Sequence, residues 1–247
     1  MKGKTHGTIG LLTSIEVSLL SSQTINPLNL LVALIFSLLP DIDEPDSLIS
    51  KYIISRQITK NLHRIILYAG NLLGFYLVYS FTHKLSFIFI FCMISTFILE
   101  KLVNKKRIRR ISLSFMLILT SAIFYYYNFG WFFIAIPLIL SPIPWLGHRN
   151  ITHSITSVII LYYLLTFTEM PSTIIIHAVA GYSSHLIGDF LTKQGIPLFY
   201  PFSKKRYGLR VMSTGSKMGN FVELLIIVLV FITIYLTYKY LPILKIN

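Results

Sequence analysis

The 247-residue chain contains one cysteine, Cys92, and only nine acidic residues against 22 Lys and Arg. A lone cysteine excludes a disulfide framework and a zinc site built from thiolates. The shortage of acids excludes an acidic disordered chain. Charged residues make up 13%, about half the ~25% of an average soluble domain. No internal repeat, low-complexity tract or separate soluble domain interrupts the sequence. Apolar residues fill it instead: the AVILMFWYC set reaches 54%, and the mean hydropathy is +0.70. The composition implies an all-α, polytopic membrane protein, a single integral-membrane domain over 1–247.

Apolar runs at 8–20, 28–39, 65–81, 85–100, 111–127, 130–146, 154–168, 172–190 and 221–241 lead to an expectation of about nine membrane helices. Crossing about 30 Å of hydrocarbon takes ~20 residues, so 8–20, 28–39 and 154–168 are marginal spans. The first run has no small-residue cleavage site after Leu20 and is not read as a signal peptide. With the N-terminus in the cytoplasm, the inner segments are 1–7, 40–64, 101–110, 147–153 and 191–220. These carry every Lys and Arg except Lys84, Lys239 and Lys245. Basic residues collect in cytoplasmic loops, so the net charge of +13 needs no nucleic acid. The block 101–110 (KLVNKKRIRR) reads as a stop signal and an anchor for anionic lipid headgroups. The inner loop 191–220, with four glycines and two prolines, is expected to be irregular.

The scarce polar residues gather at one depth. Asp41, Asp43, Glu44 and Asp46 follow the second run, Asp189 ends the eighth, and Glu223 begins the ninth, all on the cytoplasmic side. His6 precedes the first run, and His148 and His153 lie in GHRNITHS before the seventh. His185 stands four residues before Asp189, a spacing that puts both on one helical face. Pro40 ends the second helix and leaves Asp41 and Asp43 on the turn beyond. His6, Asp41, Asp43, His148, His153, His185, Asp189 and Glu223 are therefore candidate metal ligands. Carboxylate and imidazole donors suit a divalent ion, zinc first, with manganese, magnesium or iron as alternatives. Taken singly, His6 reads as an interfacial polar residue and DIDEPD as a solvated capping loop. The candidates outnumber the four ligands of one closed structural site, which leaves room for one to three ions. Glu16 interrupts an apolar run and is left outside the site, and His177 reads as structural.

Early His6, LPDIDEPDS at 39–47, HRNITHS at 148–154, HLIGDFLTKQGIPLFYPF at 185–202 and LRVMSTGSKMGNFVE at 209–223 together resemble the YdjM-like family of inner-membrane proteins. That family is described as membrane-bound metal-dependent hydrolases, distantly similar to the zinc-dependent phospholipase C and P1 nuclease group. Two features depart from the family pattern. Asn150 follows Arg149 where the family has glycine, and 65–146 is an inserted block of four spans. The resemblance implies a hydrolase acting on a phosphoester of a membrane lipid or polyprenyl carrier, with the site facing the cytoplasm. Asp43 or Glu44 would take the proton of the attacking water, and Arg149 would fork onto the phosphate. Thr192, Lys193, Lys204 and Arg206 would hold the substrate, with Lys205 beside them on the headgroup. The alternatives are a non-catalytic protein with a structural or regulatory metal site, and a cation transporter. A transporter is disfavoured because the polar residues sit at one face and no inverted repeat is visible.

Overall fold

The computed structural model describes residues 1–44, 47–48, 50, 55–83, 94–98, 100–101, 104–145, 149–168 and 170–244. The chain divides into two compact units, one formed by Met1–Ile49 with Leu146–Asn247 and the other by Ser50–Trp145. Among the described residues the structure is helical, and the only β pairing is two isolated bridges.

The first unit is built on α1 (Gly3–Leu20), α2 (Pro27–Leu38), α6 (Ile155–Phe167), α7 (Ser172–Phe190) and α8 (Lys217–Leu244). Asn26 caps α2 by accepting from the Leu28 N–H, with Pro27 in the first turn. Pro40 cannot continue the α-helical ladder, and the chain tightens into a 3-10 turn at Leu39–Asp43. Helices α1, α2 and α7 pack on one another, α8 lies against α1, and α6 against α7.

Small and polar residues at four-residue spacing explain the three-helix contact. His6, Gly10, Ser14 and Ser18 are buried on α1. Asn29, Ala33 and Ser37 are buried on α2, and His177, Gly181, His185 and Asp189 on α7. These stripes face inward, and their small members let the backbones close up. A Cβ on Gly181 would overlap the Ala33 backbone, and one on Gly10 would overlap Ser37. Below the glycine layer, Ser14 Oγ meets His177 Nδ1 at 2.8 Å, both fully buried. Glu16 leaves α1 on another face, where Thr237 of α8 donates to its Oε1 at 2.6 Å.

The loop after α7 is irregular yet tied down. Ile196 and Tyr207 exchange backbone hydrogen bonds, Lys193 N–H donates to Met212, and Leu209 and Val211 donate to Phe190 and Leu191.

The second unit contains α3 (Arg56–Thr82), α4 (Lys105–Tyr126), α5 (Trp131–Leu140) and a 3-10 turn at Ile143–Trp145. Ser55 and Asn104 cap α3 and α4 through the Ile58 and Arg107 N–H groups. Helix α4 packs on both α3 and α5. Ser121 donates to the Ile134 carbonyl and Ser114 to that of Ser141.

The expectation of nine spans is corrected. Among the described residues, three helices are long and apolar enough to cross a membrane: Gln57–Phe81, Lys105–Tyr126 and Lys217–Leu241. The run 28–39 falls in the shorter apolar helix Pro27–Ile42, 130–146 in Phe133–Trp145 and 154–168 in Ile155–Phe167. Helices α1 and α7 have the length of a span, but the polar stripes they bury lower their hydropathy. Most of the expected span 85–100 lies outside the described residues.

Candidate metal centre

The 3-10 turn after α2, a second 3-10 turn at Ile151–His153 and the last turn of α7 meet at one end of the three-helix packing. They bring Asp41, His153, His185 and Asp189 together with one ligand atom of each within 4.8 Å of the others. His153, His185 and Asp189 are buried, and Asp41 is partly exposed. His153 Nε2 lies 3.2 Å from His185 Nε2 and 3.5 Å from both Asp41 Oδ1 and Asp189 Oδ2. His185 Nε2 lies 3.7 Å from Asp41 Oδ1 and 3.9 Å from Asp189 Oδ2. Zinc bonds of about 2.0–2.1 Å in a tetrahedron put neighbouring ligand atoms roughly 3.3–3.5 Å apart. The observed separations bracket that spacing.

Tautomers sharpen the reading. His185 Nδ1 is 2.8 Å from the Ser37 carbonyl, an acceptor only, so Nδ1 carries the proton and neutral His185 presents a bare Nε2 lone pair. His153 Nδ1 meets Thr152 Oγ1 at 3.0 Å and likewise turns Nε2 inward. Two inward ring nitrogens, one of them fixed as a lone pair, and two carboxylates make a donor set that suits a cation.

Arg149 holds Asp189 from behind. Its guanidinium meets Asp189 Oδ2 at 2.7 Å and donates to Thr192 Oγ1 and the Gly195 carbonyl, each at 3.3 Å. To do this Arg149 adopts φ 57, a left-handed conformation that costs a non-glycine residue roughly 1–2 kcal/mol. The strain falls on Arg149 itself, with the following Asn150 at φ −102. The charge-assisted pair offsets it.

His6 stacks on His185 with ring centroids 3.8 Å apart and lies 3.3 Å from Asp189 Oδ1, which also accepts from the Met1 amino group. Both His6 ring nitrogens are buried without a hydrogen bond. His6 therefore borders the four-residue group, on the other oxygen of Asp189. Burial works against ionisation of Asp41, but the facing His185, His153 and His6 outweigh it and hold the carboxyl well below the usual carboxylate range.

The remaining sequence candidates fall elsewhere. Glu223 accepts from the Lys2 N–H at 3.1 Å and from Thr5 Oγ1 at 2.5 Å, closing the N-terminus of α1. Glu44 is half-buried at the end of the first 3-10 turn, its N–H donating to the Asp41 carbonyl. Thr192 is buried, donating to the Asp189 carbonyl and receiving from Arg149. Lys193, Lys204, Lys205 and Arg206 are exposed on the loop. The Asp43 side chain and His148 lie outside the described residues. The Ser14–His177 pair had a sequence signal, since His177 stands two four-residue steps before His185. Nothing in the sequence announces the pairing of Arg149 with Asp189.

A protein-family model described as YdjM inner membrane protein matches residues 1–126 and 121–244. The "Inner membrane protein YdjM" of Escherichia coli (strain K12) and that of Shigella flexneri are each 33% identical over 82 residues, 31% of this chain and 42% of theirs. The chain thus spans less than half the length of these curated relatives. No solved structure matches it. With the family match covering nearly every residue, from α1 to α8, the chain belongs to the YdjM inner membrane protein family.

Proposed function

We propose that the protein is a multi-pass, membrane-bound, metal-dependent hydrolase whose centre faces the cytoplasm and acts on a phosphoester of a membrane lipid or polyprenyl carrier. The observation that carries this is the spacing of Asp41, His153, His185 and Asp189, two carboxylates and two imidazoles with ligand atoms 3.2–3.9 Å apart in the measured pairs. Zinc fits this donor set best, followed by manganese. His6, with Nε2 3.3 Å from Asp189 Oδ1 and no hydrogen bond at Nδ1, is the candidate to add a ligand or hold a second ion through Asp189 Oδ1. A bound divalent ion supplies Lewis acidity and brings the pKa of the water it polarises to about 7.

The chain's own residues do the rest. Arg149 and the Ser37 carbonyl fix Asp189 and His185 in place. Asp43, on the turn that carries Asp41, or Glu44 just after it would take the proton of the attacking water. Lys193, Lys204, Lys205 and Arg206 present exposed charge to an anionic headgroup, and Thr192 supports the site through Arg149. The cytoplasmic orientation follows from the basic inner loops.

Metal analysis by mass spectrometry on detergent-purified protein tests the centre, followed by release of headgroup or phosphate from lipid phosphoesters. A tightly held ion in the wild type, lost in monodisperse Asp41→Ala and His185→Ala, together with turnover that the same variants abolish, is the expected result. Wild type that stays empty after zinc, manganese and magnesium are added overturns the metal reading. A bound ion with no turnover on any phosphoester lipid overturns the hydrolase and leaves a structural or regulatory site.

A further inference from the structure

Between Asp189 and Glu223 the chain has no acidic residue, but it has six basic ones: Lys193, Lys204, Lys205, Arg206, Arg210 and Lys217. All six are exposed. Among them stand apolar side chains that the fold leaves outside. Phe202 is 91% exposed, Leu209 63% and Val211 59%. A soluble surface scatters such residues singly. Here they alternate with cations on a segment whose backbone is held by the Ile196–Tyr207 and Lys193–Met212 pairings. Lys205 Nζ lies 5.6 Å from the centre of the Tyr207 ring, which in turn packs edge-on against Phe199. The segment is thus an ordered platform. Its depth is set from one end, because the candidate span Lys217–Leu241 begins where it stops. Residues just before a span lie at headgroup level, where exposed phenylalanine can enter the acyl boundary and Lys or Arg can meet lipid phosphates.

We infer that residues 199–211 are an interfacial anchor, with Phe202 inserted into the leaflet and Lys204, Lys205 and Arg206 on anionic lipid headgroups. Charge complementarity selects an anionic leaflet, since a run of cations without acids has little to gain from a zwitterionic one. The loop is also tied to the metal centre: the Gly195 carbonyl, at its foot, accepts from the Arg149 that holds Asp189. The inference rests on the membrane setting of the family and on the loop. It stands whether or not the centre hydrolyses anything.

The test uses full-length protein in nanodiscs of phosphatidylcholine alone or mixed with phosphatidylglycerol. Phe202→Trp is made in a Trp131→Phe, Trp145→Phe background, and quenching by lipids brominated near the headgroup end of the acyl chain is recorded. Strong quenching in the anionic discs, falling several-fold in phosphatidylcholine or when Lys204, Lys205 and Arg206 are all changed to Gln, is the expected result. Tryptic cleavage of unsubstituted protein after Lys204, Lys205 and Arg206 gives a readout free of any folding defect. It should slow several-fold in the anionic discs. Emission that is red and unquenched in both discs, with equal cleavage, overturns the anchor. Equal quenching in both compositions overturns its preference for anionic lipid. Protection by inorganic phosphate in phosphatidylcholine discs reassigns the basic patch to a free anion and overturns the headgroup reading.

Discussion

His185 donates from Nδ1 to the Ser37 carbonyl, so its Nε2 faces Nε2 of His153 at 3.2 Å with a lone pair. A shared cation would bind both nitrogens, with the His153 proton moved to Nδ1, where the Thr152 hydroxyl can accept it. Around this pair the residue-scale expectations concern support as much as ligation. Arg149→Lys keeps the charge but loses the fork that reaches Asp189, Thr192 and Gly195 together. Metal affinity should fall about 10–100-fold with the fold intact, as chelator competition would measure. Protons compete with the ion for imidazole, so affinity must fall as pH falls. Asp41 takes no part in that fall. Its carboxyl is held well below the usual carboxylate range by the facing imidazoles and stays ionised through the range in which imidazoles titrate. Asp41→Asn should therefore weaken binding by a similar factor at each pH and leave the slope of affinity against pH unchanged, as binding isotherms between mildly acid and neutral pH would show. A slope that flattens in the variant would assign proton uptake to Asp41.

The centre depends, at the scale of elements, on how closely α1, α2 and α7 approach. Gly181 lies against the Ala33 backbone, so even one methyl group must separate α7 from α2. Those helices lead to Asp41 and carry His185, and a shift of a few tenths of an ångström spoils both packing and ligand spacing. Gly181→Ala should cost about 1–3 kcal/mol by overpacking and lower the metal content, seen as a reduced melting temperature in detergent and sub-stoichiometric metal. Gly215→Ala is a poor control, because Gly215 has φ 83. Gly130→Ala, with nothing within 4 Å of the added carbon, should leave metal content unchanged. Both 3-10 turns were hard to read in advance. Pro40 signalled the end of α2, whereas nothing in NITHS marks a single turn that aims His153 inward.

At the scale of the whole molecule, every member of the four-residue group belongs to the first unit, although the entire second unit separates Asp41 from His153 in sequence. In a Cys92→Ala background, Thr214→Cys should react with an impermeant maleimide from the cytoplasmic side, and Tyr240→Cys, at the far end of the candidate span Lys217–Leu241, from the opposite side. Equal labelling from one side would overturn the proposed orientation and the crossing by α8. Much of this architecture was legible in the sequence. Composition determined a helical membrane protein, because a chain so apolar satisfies its backbone in lipid only by forming helices or a closed barrel. Four-residue spacing determined that His185 and Asp189 share a face, and the glycines and prolines after α7 determined an irregular loop. Tertiary structure alone decided which polar residues converge: Asp41, His153, His185 and Asp189 meet, His6 borders them, and Glu223 turns to the start of α1. It also decided that Arg149 is held by Asp189 and that three helices, not nine, have the length and hydropathy of a span among the described residues. The reason is that periodicity tells which residues share a face but not which face it meets. Hydropathy likewise scores each residue as if it faced lipid, whereas the polar stripes of α1, α2 and α7 face one another.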